Sequence, residues 1–121
     1  MTDIDVNTDA LISSWLTIPE IAETHDLEVR LVEQWIREGR LIAVRRGGDR
    51  ELQVPAEFIT EGGVIKGLGG VLTILRNSSL SDVEMLEWMF TEDPALSSTP
   101  AKALRENRGN AVQRLASERA A

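Results

Sequence analysis

Apolar residues recur at helical spacing in the first third of the chain, turn strand-like in the forties and return to helical spacing after residue 70. Ile18, Ile21 and Ala22 fall at i, i+3 and i+4, one face of a short helix. Its start is written in Thr17-Ile18-Pro19-Glu20: Thr17 caps, Glu20 closes a capping box three residues on, and Pro19 suits a first turn. His25-Asp26 breaks it. Leu27, Val32, Trp35 and Ile36 make the inner stripe of a second helix over roughly Glu28 to Glu38. Its other face carries Glu28, Arg30, Glu33, Gln34 and Arg37, and Gly39 is the kind of residue that follows a helix end. Leu41 to Arg46 and Arg50 to Val54 then flank Gly47-Gly48-Asp49, a β-hairpin signal. Pro55 ends the hairpin, and a short helical turn is expected through Phe58-Ile59.

Gly62-Gly63 marks a joint, and Gly63 to Gly70 reads as a loop or short strand. Val71 to Arg76 is apolar enough for a short buried helix. Ser81-Asp82-Val83-Glu84 is a second capping box, opening a helix with Val83, Leu86, Met89 and Phe90 inward and Pro94 closing it. Thr99-Pro100 starts another helix through Arg105. After Gly109 a last helix runs from Asn110 to about Arg119, with Val112 and Leu115 on its apolar face. The pattern predicts a mainly α protein with a small β-hairpin. It divides into a flexible acidic tail over 1–14, a first unit over 15–60 and a helical C-terminal domain over 61–121.

The chain has 121 residues, room for one compact domain or two small units sharing a core. It has no cysteine and a single histidine, His25. Zinc fingers, thiol catalysis and disulfide scaffolds are therefore excluded. His25 falls in the turn between the first two helices, with no partner for metal binding or catalysis. No nucleophile, base and orienter cluster, so no enzyme and no cofactor is expected. Gly67-Leu68-Gly69-Gly70 is not a dinucleotide loop: the third glycine position holds Leu72, and no βαβ unit surrounds it. Trp35 and Trp88 lie on apolar stripes and belong to the core, and Trp15 packs against the first unit. No apolar run is long enough to span a membrane, and Met1 to Asp9 has neither the basic start nor the apolar stretch of a signal peptide. A cytoplasmic location is expected.

Charge changes the picture most. The formal net charge is −7, from 20 acids and 13 bases, which at first argues against a nucleic-acid partner. The balance is polarised, however. Residues 1–26 hold six acids and no Lys or Arg, whereas residues 27–50 hold six arginines against four acids. The basic island coincides with the second helix and the hairpin.

Two short helices, a tight turn and a hairpin are the order of a winged helix-turn-helix. An α-helix fits the major groove of B-DNA, and the planar fork of arginine grips guanine and phosphate alike. The stretches Leu16-Thr17-Ile18-Pro19-Glu20-Ile21-Ala22-Glu23 and Trp35-Ile36-Arg37-Glu38-Gly39-Arg40-Leu41 resemble the head of MerR-like and excisionase-like DNA-binding domains. Val29 to Leu41, continuing through Ala43-Val44-Arg45-Arg46, more closely resembles a small group of actinobacterial winged helix-turn-helix proteins with a helical C-terminal domain. Gly70 to Leu75 and Trp88 to Leu96 resemble that second part. The resemblance implies a non-enzymatic DNA-binding protein in transcription regulation or chromosome organisation, nucleoid-associated when bound to double-stranded DNA. The second helix would be the recognition helix, with Arg30, Gln34 and Arg37 toward the groove, Arg40 at its end, and Arg45, Arg46 and Arg50 on the wing. Glu28, Val29 and Glu33 depart from the polar and basic residues usual in such helices. The C-terminal stretch is also similar to the toxin-binding domain of some antitoxins, which implies a protein partner held by residues 61–121. Thr2 and Thr8, in the acidic tail, are candidate targets of a Ser/Thr kinase, Thr8 foremost. The acids of that tail are expected to compete with phosphate for the wing arginines.

Overall fold

The computed structural model describes residues 4–120. Among these the chain forms α1 (Val6–Leu11), β1 (Trp15–Thr17), α2 (Ile18–Thr24), α3 (Val29–Arg37), β2 (Val44–Arg46), β3 (Glu51–Pro55), a 3-10 turn (Ala56–Phe58), β4 (Ile59–Thr60), β5 (Gly63–Val64), α4 (Leu68–Asn77), α5 (Asp82–Met89), α6 (Pro100–Arg105) and α7 (Gly109–Ala120). The fold is mainly α with a small antiparallel sheet, a winged helix-turn-helix followed by a helical C-terminal domain.

Both capping boxes form as read. Thr17 accepts the Glu20 N–H at 3.2 Å while Glu20 accepts the Thr17 N–H at 2.8 Å. Ser81 and Glu84 repeat the arrangement at 3.2 and 2.8 Å. Each box satisfies amides that the helix itself cannot. The same donated amides hold the Glu20 and Glu84 carboxyls below the ordinary glutamate range. Helix α2 ends at His25, and Asp26 takes a left-handed φ of 53° to turn the chain into α3. Gly39, at φ 76°, turns it out again.

The N-terminal stretch departs from its reading as a flexible tail. Asp5 caps α1, accepting the Thr8 N–H at 2.6 Å, a bond that lowers its own pKa. The helix packs against α5, and Thr8 is only 1% exposed. The partner that makes α1 worth forming lies in the other half of the chain, so local composition could not show it. Thr8 is thus not accessible as a tail residue would be, and Thr2 lies outside the described residues.

The hairpin gains a third strand. β1 pairs antiparallel with β3, in register Trp15↔Pro55 to Thr17↔Gln53, and β2 pairs with the other edge of β3 from Val44↔Gln53 to Arg46↔Glu51. Leu41, Ile42 and Ala43, expected as strand, form instead a buried connection into β2. The helical turn expected through Phe58-Ile59 stops at Phe58, and Ile59 opens a two-residue strand paired with Val64. In α5 the inward set is Met85, Leu86 and Met89, with Val83 only half-buried.

One apolar core runs through both halves. Val32, Val44 and Phe58 from the first half join Leu72, Met85 and Leu104 from the second. The rings of Phe58 and Phe90 meet at 5.3 Å between centroids. Gly63, at φ 117°, lies so close under Trp35 that a Cβ there would stand 2.8 Å from Cη2 of the indole. Arg105 of α6 donates to the carbonyls of Glu57 and Ile59 at 3.1 and 3.3 Å. These contacts fix α3 and the sheet against the C-terminal domain.

Candidate nucleic-acid interface

Helix α3 buries Val32 fully and Trp35 and Ile36 in part, which leaves Arg30, Gln34 and Arg37 on one exposed face. With Leu27, Glu28 and Leu31 they border a shallow depression of about 550 Å³. Arg30 is 89% exposed and lies 3.9 Å from Glu28. Such a pair in open solvent is weak and easily exchanged for a phosphate. Gln34 donates to Glu38 at 3.0 Å, and Arg40 stands 3.8 Å from the same carboxylate. Among the described residues the Arg37 side chain makes no hydrogen bond or ion pair.

A second depression, of about 460 Å³, separates the start of α3 from the wing. Ile18, Pro19, Val29 and Leu52 line it together with Arg45 and Arg50 and with the carboxylates Glu33, Asp49 and Glu51. The wing turn runs Gly47 to Arg50 with Gly47 at φ 81° and Arg50 at φ 56°. The Arg50 N–H donates to Gly47 O at 3.2 Å, and the Arg45 guanidinium donates to the Arg50 carbonyl at 3.0 Å. Arg45 therefore braces the turn that holds Arg50 outward.

Arg46 does not join them. Successive strand residues face opposite sides of a sheet, so if Arg45 faces the cleft, Arg46 faces away from it. There its guanidinium makes a two-pronged ion pair with Asp9 of α1, at 2.7 and 2.9 Å. It also donates to Gln53 Oε1 at 3.0 Å and stacks over the Trp15 ring, 4.4 Å from the centroid. Of the N-terminal acids among the described residues, Asp9 is the one that pairs with a wing arginine, and its partner is Arg46.

The seven arginine and glutamine candidates accordingly fall into groups. Arg30, Gln34 and Arg37 share the outer face of α3, Arg45 and Arg50 share the cleft beside it, Arg40 stands at the turn after α3, and Arg46 braces α1. Sequence reasoning treated Val29 only as a departure from pattern. It is 42% exposed on the first turn of α3 and faces the cleft. The signal for it was present: an apolar residue on an otherwise polar helix face. Among the described residues no group of three or more acidic or histidine side chains is placed to hold a metal ion. No helix among them is long and apolar enough to cross a membrane.

Residues 3–59 match the family of the DNA-binding protein Rv2175c, wHTH domain, and residues 65–120 match the Rv2175c C-terminal domain of unknown function. The DNA-binding protein Rv2175c of Mycobacterium tuberculosis is 43% identical over 83 residues, 68% of this chain. That match spans 56% of the relative, little more than half its length. The NMR structure of Rv2175c superposes with a TM-score of 0.82 at 32% identity, covering 100% of this chain and 89% of that one.

Proposed function

Because the chain belongs to the Rv2175c family, in which a winged helix-turn-helix precedes a helical C-terminal domain, we propose that it binds double-stranded DNA, without catalysis, as a regulator of transcription. Helix α3 enters the major groove with Arg30, Gln34 and Arg37 toward base edges. Arg45 and Arg50 bring the wing onto the backbone. One observation carries this reading: three polar side chains capable of base and phosphate contact share one exposed face of a short helix, directly beside a wing that carries two more arginines. Val29 adds an apolar contact of the size of a thymine methyl. The order of α2, α3 and wing supports kinship of the head with MerR-like and excisionase-like domains.

Residues 27–50 are modestly basic, with six arginines against four acids, so binding is salt-sensitive. With at least four phosphates neutralised, log K falls against log salt with a slope of about −3.6 or steeper. Fluorescence anisotropy of a labelled duplex, titrated with the full chain at several salt concentrations, measures it. A flat response rules the mechanism out. Arg30→Gln and Arg37→Gln should each weaken binding by about 1–3 kcal/mol where they meet a base, and less where they meet phosphate alone.

Regulation through Thr8 fits the same frame. The residue is buried, so a Ser/Thr kinase reaches it only after α1 leaves α5, and that movement carries Asp9 away from Arg46. A phosphate on Thr8 would keep α1 undocked, because a dianion has no counter-charge in the apolar contact it would re-enter. Mass spectrometry of kinase-treated protein with and without Asp9→Asn tests the order of events. Loosening α1 by that substitution should raise the rate of modification, and an unchanged rate would place the opening elsewhere.

A further inference from the structure

The C-terminal domain contributes one cation to the strip of side chains along α3. Arg76, in the last turn of α4, reaches across to the end of that helix. Its guanidinium lies flat on Gly39: a Cβ there would stand 2.7 Å from Nη1 and 3.2 Å from Cζ. The only hydrogen bond it makes among the described residues is a long one, 3.4 Å, to Gly39 O, and it is exposed. Arg37 borders the depression of about 300 Å³ on which Arg76 sits, and it also borders the one that holds Arg30 and Gln34. The four side chains form a continuous strip. Two carboxylates share the Arg76 depression. Glu38 is already engaged by Gln34 and Arg40, and Asp82 forms no ion pair with Arg76.

We infer that Arg76 is a phosphate-binding residue, and that through it the C-terminal domain forms part of the DNA interface. The inference rests on the proposal that α3 occupies the major groove. Nine helical residues span about 13 Å, and the groove is about 12 Å wide. Groups just beyond either end of a helix of that length are therefore within reach of a phosphate ridge. At its first turn stand the wing arginines, Arg45 and Arg50. Beyond its last turn stand Arg40, in a weak and exposed pair with Glu38, and Arg76, whose guanidinium has no acid partner among the described residues. An arginine anchored by a single weak bond to a carbonyl keeps most of its donors for a bidentate phosphate contact.

A purely structural role is also open to Arg76, since a cation beside the C-terminal end of a helix is favourable there. The salt dependence of binding separates the two. The full chain, Arg76→Gln and Arg76→Lys are each titrated into a labelled duplex from about 50 to 200 mM salt. Glutamine keeps a donor for Gly39 O and loses the charge, whereas lysine keeps the charge. The expected result is a slope shallower by about 0.9 for Arg76→Gln, which makes its affinity loss across that range about 3.5-fold smaller than that of the parent. Arg76→Lys should retain the parent slope. An unchanged slope in Arg76→Gln overturns the inference, whether or not affinity falls, because a misplaced α3 weakens binding without removing a phosphate contact. No salt-dependent binding by the parent chain overturns the DNA reading itself, and this inference with it.

Discussion

Arg45 and Arg46 are neighbours of identical chemistry with opposite employment. The pleat sends one to the cleft and the other to α1, and Asp9 closes on the second with both oxygens. The pair is partly shielded, at 25% and 30% side-chain exposure, and geometrically matched, so it is worth more than an open surface pair. Asp9→Asn should lower stability by about 1–2 kcal/mol in urea denaturation. The same change removes a negative charge from the neighbourhood of the wing, so affinity for duplex DNA should rise. Equal affinity for parent and variant would mean that the Asp9 charge is not felt at the interface. Gly63 makes a second point of this kind. Its φ of 117° and its closeness to Trp35 leave no place for a methyl group, so Gly63→Ala should cost about 1–3 kcal/mol. The melting temperature of that variant should drop, and the fluorescence of the native state should change with it.

Helices α2 and α5 were legible because their signals are local. A capping box needs four consecutive residues, and Thr17 to Glu20 and Ser81 to Glu84 spell it out in full. α1 and β1 were not legible for the converse reason. β1 has three residues and no alternation of its own, and it exists because β3 offers an open edge. α1 exists because α5 and Arg46 receive it. The grouping of Arg30, Gln34 and Arg37 followed from helical spacing, whereas the separation of Arg45 from Arg46 needed only the two-residue period of a strand. The contact of Arg76 with Gly39 had no sequence signal, since it joins elements from the two halves of the chain. The capping boxes also set an acid response. Glu20 and Glu84 are held below the ordinary range by the Thr17 and Ser81 amides, so the unfolded chain binds protons more readily than the folded one. Their stabilisation is complete above the unfolded glutamate value, about 4.3, and is lost as pH falls through the lower folded values. Helical circular dichroism at moderate urea should decline in that window. Glu20→Gln with Glu84→Gln keeps both boxes in a form that does not titrate, so the decline should flatten. An unaltered profile would assign it to other carboxylates.

The two family segments, 3–59 and 65–120, correspond to two halves of the chain but not to two cores. Phe58 packs on Phe90, Arg105 holds the carbonyls of Glu57 and Ile59, and Arg76 covers Gly39. Each contact joins the α3-and-wing half to the C-terminal half, and removing the second half would uncover the inner face of the first. Folding should therefore be a single transition. The three tryptophans make this measurable, since Trp15 and Trp35 lie in the first half and Trp88 in the second. Trp88→Phe reports only the first, and Trp15→Phe with Trp35→Phe reports only the second. Their urea midpoints, each corrected for the stability of its own variant by circular dichroism, should coincide. Phe90→Ala should cost about 3–5 kcal/mol and move both reporters together, although the change lies wholly within the C-terminal half. Separate midpoints would mean that the halves fold independently. A C-terminal domain could then be absent without disturbing α3, and its part in binding would reduce to whatever Arg76 itself touches. A single transition means that the two halves share one cooperative core, so a change that destabilises residues 65–120 lowers the stability of α3 as well.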